Sequence, residues 1–260
     1  MVFGLFKSKK EPLLEQELKR GPQDFESIQE TLDYVKEITG ITFEKQRAIF
    51  QSKLKSFCQQ RGINSFHECI VKVERDVALR QELVNYVTTN ETYFYREFGQ
   101  IEELVTKVCE RADRVNVLCM PCSTGEEPYS IVIALLEAGV AKARFNILGV
   151  DIDTSALQRA KEGVYNARDV SKMPTHLVNK YFSKQGEKFH LNAAVKSCVT
   201  FRACNLFDTE FKKIGQFDYI LSRNMLIYFD MDTKLKASEI LGGLLKPAST
   251  PVYYGHADLY

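Results

Sequence analysis

Val115-Asn-Val-Leu-Cys-Met120 runs directly into Pro121-Cys-Ser-Thr-Gly-Glu-Glu-Pro-Tyr-Ser130. The first run is short, apolar and bounded by a turn, which reads as a buried strand. The turn carries a single glycine, Gly125, and Pro128 suits a first helical position. An apolar helix is expected at about 127–138, then a second strand, Phe145-Asn-Ile-Leu-Gly-Val150. A helix after Asp153, strands at 217–222 and 251–255, and a helix at 232–245 continue the alternation. Strands separated by helices of this length imply crossover connections and a parallel sheet covered on both faces. The expected fold is α/β, with a Rossmann-like doubly wound domain.

Upstream the pattern is different. Phe25, Ile28, Leu32, Val35 and Ile38 recur at helical spacing and stop at Gly40. A second helix places Ile49, Phe50, Leu54, Phe57 and Cys58 on one stripe and ends at Gly62. Two more helices are expected at 66–73 and 77–87, and none of this block reads as strand. The chain therefore divides into a tail at 1–22, a helical domain at 23–88, a linker at 89–100 and an α/β domain at 101–260. Within the last, 187–191 and 197–201 read as a hairpin joined through Asn192-Ala193, a small β-subdomain at about 187–203.

With 260 residues, 45% apolar and 27% charged, the chain has the composition of a globular protein able to bury a core. Its 35 Lys+Arg against 34 Asp+Glu leave a net charge of +1, which argues against general nucleic-acid binding. No apolar run reaches the roughly 18–20 residues that cross a bilayer, so no membrane insertion is expected. Seven scattered cysteines fit reduced thiols and a cytoplasmic protein. His67, His176, His190 and His256 show no paired spacing, and no metal site is expected.

In an open parallel sheet the ligand sits beyond the carboxyl ends of the strands. The first such end lacks both G-x-G-x-x-G and a Walker lysine. Instead Glu126 and Glu127 stand at the helix entrance, where a polyphosphate would be repelled. Two acids there suit a ligand with cationic groups and sugar hydroxyls, or simply complement the helix dipole. Asp151, 24 residues beyond Glu127, stands near the offset at which an acid binds ribose hydroxyls, while Asp153 or Thr154 caps the next helix. Asn205-Leu206 and Ser222-Arg223-Asn224 are further polar strand ends. Cys119 and Cys122 occupy a place open to a redox pair, but the neighbouring acids would raise a thiol pKa.

Thr89-Asn-Glu-Thr-Tyr-Phe-Tyr-Arg96, Ser123-Thr-Gly-Glu-Glu-Pro-Tyr-Ser130, Asp151-Ile-Asp153, Asn205-Leu206, Ser222-Arg-Asn-Met-Leu-Ile-Tyr-Phe-Asp230 and Gly255-His-Ala-Asp258 occur in that order. In this respect the chain resembles the chemotaxis-receptor glutamate methyltransferases over about residues 25–258. The resemblance implies S-adenosylmethionine as cofactor and S-adenosylhomocysteine as product. It implies a helical N-terminal domain, a Rossmann-like C-terminal domain and a small β-subdomain. It places Asn90, Thr92, Arg96, Glu127, Asp151, Asn205, Leu206, Ser222 and Arg223 at cofactor-contact positions, and Arg96 and Tyr228 beside the transferred methyl group. It also implies that a basic helix, here with Lys53 and Lys55 and with Lys45 and Arg47 earlier, meets the acidic cytoplasmic region of chemoreceptors.

Three readings follow from these residues: a methyltransferase forming esters on receptor glutamates, the same fold acting on another protein or a small carboxylate, or a non-catalytic cofactor-binding module. Tyr228 also reads as a buried aromatic, and the lysines as a solvated helix face. The 255–258 string departs from the family pattern, with Ala where relatives commonly carry Ser and Asp in place of Glu. Such sheets normally finish with one strand beyond 251–255, and the short hairpin puts docking of a receptor tail in doubt.

Overall fold

Four helices build the N-terminal region in the computed structural model, which describes residues 24–43, 46–247, 249 and 251–259. The expected tail at 1–22 and Lys45 lie outside the described residues. The helices are Gln29–Thr39 (α1), Arg47–Gln60 (α2), Phe66–Arg75 (α3) and Val77–Val87 (α4). Ser65 caps α3 by accepting the Glu68 N–H, and Asp76 caps α4 by accepting those of Ala78 and Leu79. Phe50, Leu54 and Phe57 from α2 meet Phe66 and Leu83 in a closed core. Ile49 does not join the stripe expected of it: 63% exposed, it faces solvent. At the opening turn of α2 the buried side is filled by Phe50, stacked on Phe43 at 4.1 Å between ring centroids.

The second region begins with Phe98–Cys109 (α5), whose first three residues fall within the stretch expected as a linker at 89–100. It continues through Val115–Cys119 (β1), Glu126–Glu137 (α6), Phe145–Asp151 (β2), Thr154–Glu162 (α7), Val164–Asn166 (β3), Ala167–Val170 (α8) and Thr175–Tyr181 (α9). Then follow Phe182–Gln185 (β4), Lys188–Leu191 (β5), Ala193–Lys196 (α10), Val199–Ala203 (β6), Tyr219–Ser222 (β7), Met231–Gly242 (α11) and Tyr253–Tyr254 (β8).

The main sheet has the order β6-β2-β1-β7-β8, all parallel, as the strand–helix alternation predicts. The central strands β1 and β7 are buried on both faces, successive residues pointing oppositely, while the edge strand β6 is largely exposed. In β1, Val115, Val117 and Cys119 enter one core with Phe94, Leu104 and Tyr129. Leu118 and the following Met120 enter the other, with Val150, Ile220 and Leu241.

The hairpin expected at 187–203 forms elsewhere. β5 pairs antiparallel with β4 before it and with β3, giving a three-stranded sheet β3-β5-β4. The run at 197–201 instead supplies most of β6, the edge of the main sheet beside β2, with α10 in between. The cause is local: β4 buries only Phe182, so its sequence shows little alternation. Phe201 meanwhile packs on Tyr129 of α6, 5.6 Å between centroids, which draws its strand to the large sheet. Among the described residues, no helix is long and apolar enough to cross a membrane.

Candidate functional site

From β1 the chain winds outward through β2 and β6 on one side and through β7 and β8 on the other, so the order reverses between β1 and β7. Beyond the carboxyl ends of these strands lies a cavity of two adjoining lobes. Thr89, Pro121, Ser123, Asn224 and Tyr228 line both.

The first lobe is mostly apolar. Met120 and Leu206 come from the α/β region, and Ile41 and Phe43 arrive from the α1–α2 connection. That connection is held to the far wall, since Thr42 donates its N–H to the Tyr228 carbonyl at 2.8 Å. Asp151, Asn90 and Asn205 supply polar edges. Asp151 ends β2 fully buried, accepting the N–H of Ser123 at 2.7 Å and of Asp153 at 2.9 Å. Burial pushes its carboxyl up to about 6 despite these bonds.

Asp153 caps α7 through the N–H groups of Ser155 and Ala156. Its other oxygen accepts the Thr88 hydroxyl at 2.8 Å and the Asn90 amide at 2.6 Å. Asn90 in turn accepts the Ser123 hydroxyl at 3.1 Å. Asn205 spends its amide on the Ile38 carbonyl at 2.6 Å, tying α1 to the lobe. From the helical side, Asn85 and Gln81 of α4 bond Thr154, Ser155 and the Ile152 carbonyl. The Asp-Ile-Asp turn is thus fixed from both regions.

The second lobe is polar, lined by Thr92, Arg96, Glu127 and Arg223. Arg96 is set by the aromatic run before it. Phe94 is fully buried, edge-on to Tyr165 and Phe182, and Tyr95 donates its N–H to Ser130 Oγ at 3.1 Å. The partly exposed guanidinium donates to the Glu91 carbonyl at 2.8 Å. Glu127 lies in the first turn of α6 and is ion-paired with Arg223 through Nε and Oε2. Its Oε1 is buried without a hydrogen-bond partner. Arg223 also donates to the carbonyls of Arg96 at 2.7 Å and Glu97 at 3.3 Å. Tyr228 is half-buried, which raises its phenol above the usual range.

The structure brings together Asn90, Thr92, Arg96, Glu127, Asp151, Asn205, Leu206, Arg223 and Tyr228 around one cavity. Ser222 lies beneath it at the end of β7, its hydroxyl buried and without a partner. Lys53 and Lys55 are exposed on α2 outside the cavity wall, with the Lys55 ammonium 5.6 Å from the Phe25 ring centroid. Of the two acids expected to rim the site, only Glu127 does so. Glu126 turns inward onto the Thr124 hydroxyl, and burial pushes its carboxyl up to about 7. The reason is the turn: Gly125, at φ +93°, packs so closely that a Cβ would meet Ala160 Cβ at 2.9 Å, which aims the next residue into the protein. Burial, with Glu127 and Asp151 adding repulsion, lifts the Cys119 and Cys122 thiols well above their ordinary value. Among the described residues no cluster of His, Cys, Asp and Glu could hold a metal ion.

Residues 90–259 match the family described as CheR methyltransferase, SAM binding domain. The chain belongs to this family. It is 36% identical to a chemotaxis protein methyltransferase of Campylobacter jejuni over 244 residues, covering 94% of this chain and 92% of that one. It is 35% identical to chemotaxis protein methyltransferase 2 of Vibrio cholerae, covering 87% and 83%. A probable biofilm formation methyltransferase of Pseudomonas putida, WspC, is 30% identical over 86% of this chain and 55% of its own length. The chain is accordingly an S-adenosylmethionine-dependent methyltransferase.

The cavity fits that cofactor in chemical kind. An apolar lobe suits a purine, a buried carboxylate at its edge suits ribose hydroxyls, and the orphaned Glu127 Oε1 suits an ammonium. Sequence reasoning missed Ile41, Phe43, Ser123 and Phe229 as wall residues. Ile41 and Phe43 follow the Gly40 helix stop, and an apolar pair there was the available signal.

Proposed function

We propose that this methyltransferase esterifies glutamate side chains in the cytoplasmic region of chemoreceptors. The observation that carries this reading is the composition of the polar lobe: one orphaned carboxylate oxygen, Glu127 Oε1, in the same lobe as the Arg96 guanidinium and the Tyr228 phenol. A cationic donor and an anionic acceptor meeting there would each find a partner of opposite charge.

When bound, S-adenosylmethionine supplies an electrophilic methyl on a sulfonium and departs as the neutral thioether S-adenosylhomocysteine. Glu127 receives the amino-acid end through Oε1, and Asp151 accepts from the sugar hydroxyls. Thr92 and Asn90 line the path between them, and Leu206 with Ile41 and Phe43 encloses the apolar end. Arg96 steers the acceptor carboxylate into the lobe without pairing both of its oxygens, because a fully paired carboxylate is a poorer nucleophile. A glutamate side chain, with an ordinary pKa of about 4.3, is already ionised at neutral pH and needs no general base. Tyr228 orients the reacting centre from the wall shared by the two lobes. The residues bring the attacking oxygen to about 3–3.5 Å from the methyl and strip its water.

The names of the Campylobacter and Vibrio relatives support a chemotaxis acceptor, and the name of WspC supports a receptor of different output. One assay decides. Tritiated methyl transfer to receptor-containing membranes should yield a label released as methanol by mild base. Label that survives base, or transfer only to small carboxylates, would overturn the reading.

A further inference from the structure

Arg96 and Tyr228 line the polar lobe from segments far apart in the chain, yet one short turn, 255–258, bonds a neighbour of each, Glu97 beside Arg96 and Ile227 beside Tyr228. Asp258, 6% exposed, accepts three backbone N–H groups: those of Asn224, of Ile227 at 3.2 Å and of Gly255 at 3.0 Å. Two residues earlier, His256 donates its N–H to Glu97 Oε2 at 3.2 Å, and its ring Nδ1 lies 3.0 Å from the same oxygen. Glu97 follows Arg96. Arg223, which precedes Asn224, closes the circuit by donating to the Arg96 and Glu97 carbonyls.

Two further features show that this circuit is under constraint. Glu97 and Asn224 both have left-handed backbones, φ +47° and +60°, which residues with side chains adopt uncommonly. Each is held in place by the 255–258 turn. Gly255 packs so tightly that a Cβ would meet the Asn224 nitrogens at 2.9 Å and Asp258 Oδ2 at 3.0 Å. Neither Asp258 nor His256 lines the cavity.

We propose that the 255–258 turn is a positioning element for methyl transfer, with Asp258 as its anchor, fixing the backbone that carries Tyr228 against the backbone that carries Arg96. This rests on the reading that the polar lobe is where acceptor meets methyl donor. A carboxylate is suited to the task because it accepts at both oxygens, whereas an amide would turn an NH₂ group toward N–H donors.

The test is Asp258→Asn in the full chain, read three ways. Amide exchange at 224–228 should quicken about 10-fold or more, as expected when a local anchor is lost. The calorimetric Kd for S-adenosylhomocysteine should stay within about 3-fold, because Glu127 and Asp151 are untouched. Turnover at saturating cofactor should fall by about 10- to 100-fold, the scale of a displacement near 1 Å at a reacting centre. Asp258→Glu, which keeps the charge, should recover part of that loss. Unchanged exchange, or wild-type turnover in a folded Asp258→Asn protein, overturns the proposal. Affinity lost in parallel with turnover overturns it too, since the residue would then be general support. If the wild-type protein methylates no receptor membrane, the acceptor reading fails, while the exchange measurement still decides the anchor. Should Asp258→Asn not fold, His256→Ala removes only an exposed ring from Glu97. Turnover about 3-fold lower at unchanged affinity supports the proposal, and wild-type turnover overturns it.

Discussion

Glu127 and Arg223 form a buried ion pair in which one oxygen of the carboxylate is paired and the other, Oε1, is left without a donor. An unmet buried acceptor costs about 1–3 kcal/mol, and a cationic ligand group placed there recovers that loss. Glu127→Gln should therefore weaken S-adenosylhomocysteine binding by about 10-fold or more in calorimetry. It should also lower the melting temperature, because breaking a buried pair from one side costs about 3–5 kcal/mol. Unaltered affinity would remove Glu127 from the cofactor site.

If Asp151 accepts from the sugar hydroxyls as proposed, cofactor binding should be sensitive to pH. Its carboxyl is pushed up to about 6 by burial. An acid with a raised folded pKa holds its proton more tightly when folded. Its contribution to stability is therefore fully present below its ordinary value near 4 and is lost as pH rises through 6. Binding runs the other way, since sugar hydroxyls need the anion as acceptor. Affinity for S-adenosylhomocysteine should fall as pH drops below 6, approaching about 10-fold per pH unit where only the anion binds. Asp151→Asn should bind weakly and flatten that profile; a steep profile surviving the substitution would place the titrating group elsewhere.

Much of this arrangement was legible in the sequence because its signals are local. The alternation of apolar strands and helices gave the parallel sheet, and polar residues after each strand gave Asp151, Asn205 and Arg223 as wall residues. What failed depended on partners distant in the chain. The 182–191 hairpin shows a single buried residue in its first strand, and β6 joins the large sheet through Phe201 packing on Tyr129. Glu126 and Glu127 are neighbours of equal charge, but a positive-φ glycine sends one inward and leaves the other to the cavity. Asp153 reads as a helix cap and is one, and nothing local shows that it also gathers Thr88 and Asn90.

Arg96→Ala and Tyr228→Phe separate steering from orientation. Arg96 stands partly exposed in the polar lobe with one bond to the Glu91 carbonyl, leaving guanidinium N–H groups to meet a carboxylate. Its loss should raise KM for the protein acceptor and lower turnover by about 100-fold, the scale attached to misplacing a reacting group. Removing only the Tyr228 hydroxyl should lower turnover by about 10-fold with cofactor affinity retained, because a single positioning contact is lost. Near-wild-type turnover of either variant at saturating cofactor would withdraw its assignment.

Lys53 and Lys55 test recognition apart from chemistry. Both are exposed on α2 outside the cavity wall, so their charge can act on a partner without disturbing the lobes. Opposed charge speeds encounter and is screened over about 8 Å at physiological salt. The double variant Lys53→Glu/Lys55→Glu should raise KM for receptor membranes several-fold while leaving kcat and the S-adenosylhomocysteine Kd unchanged. Wild-type methylation should slow as salt rises from low to physiological, and the variant should lose most of that dependence. If the two proteins respond to salt alike, α2 is a solvated surface, and the acceptor docks through another face of the molecule.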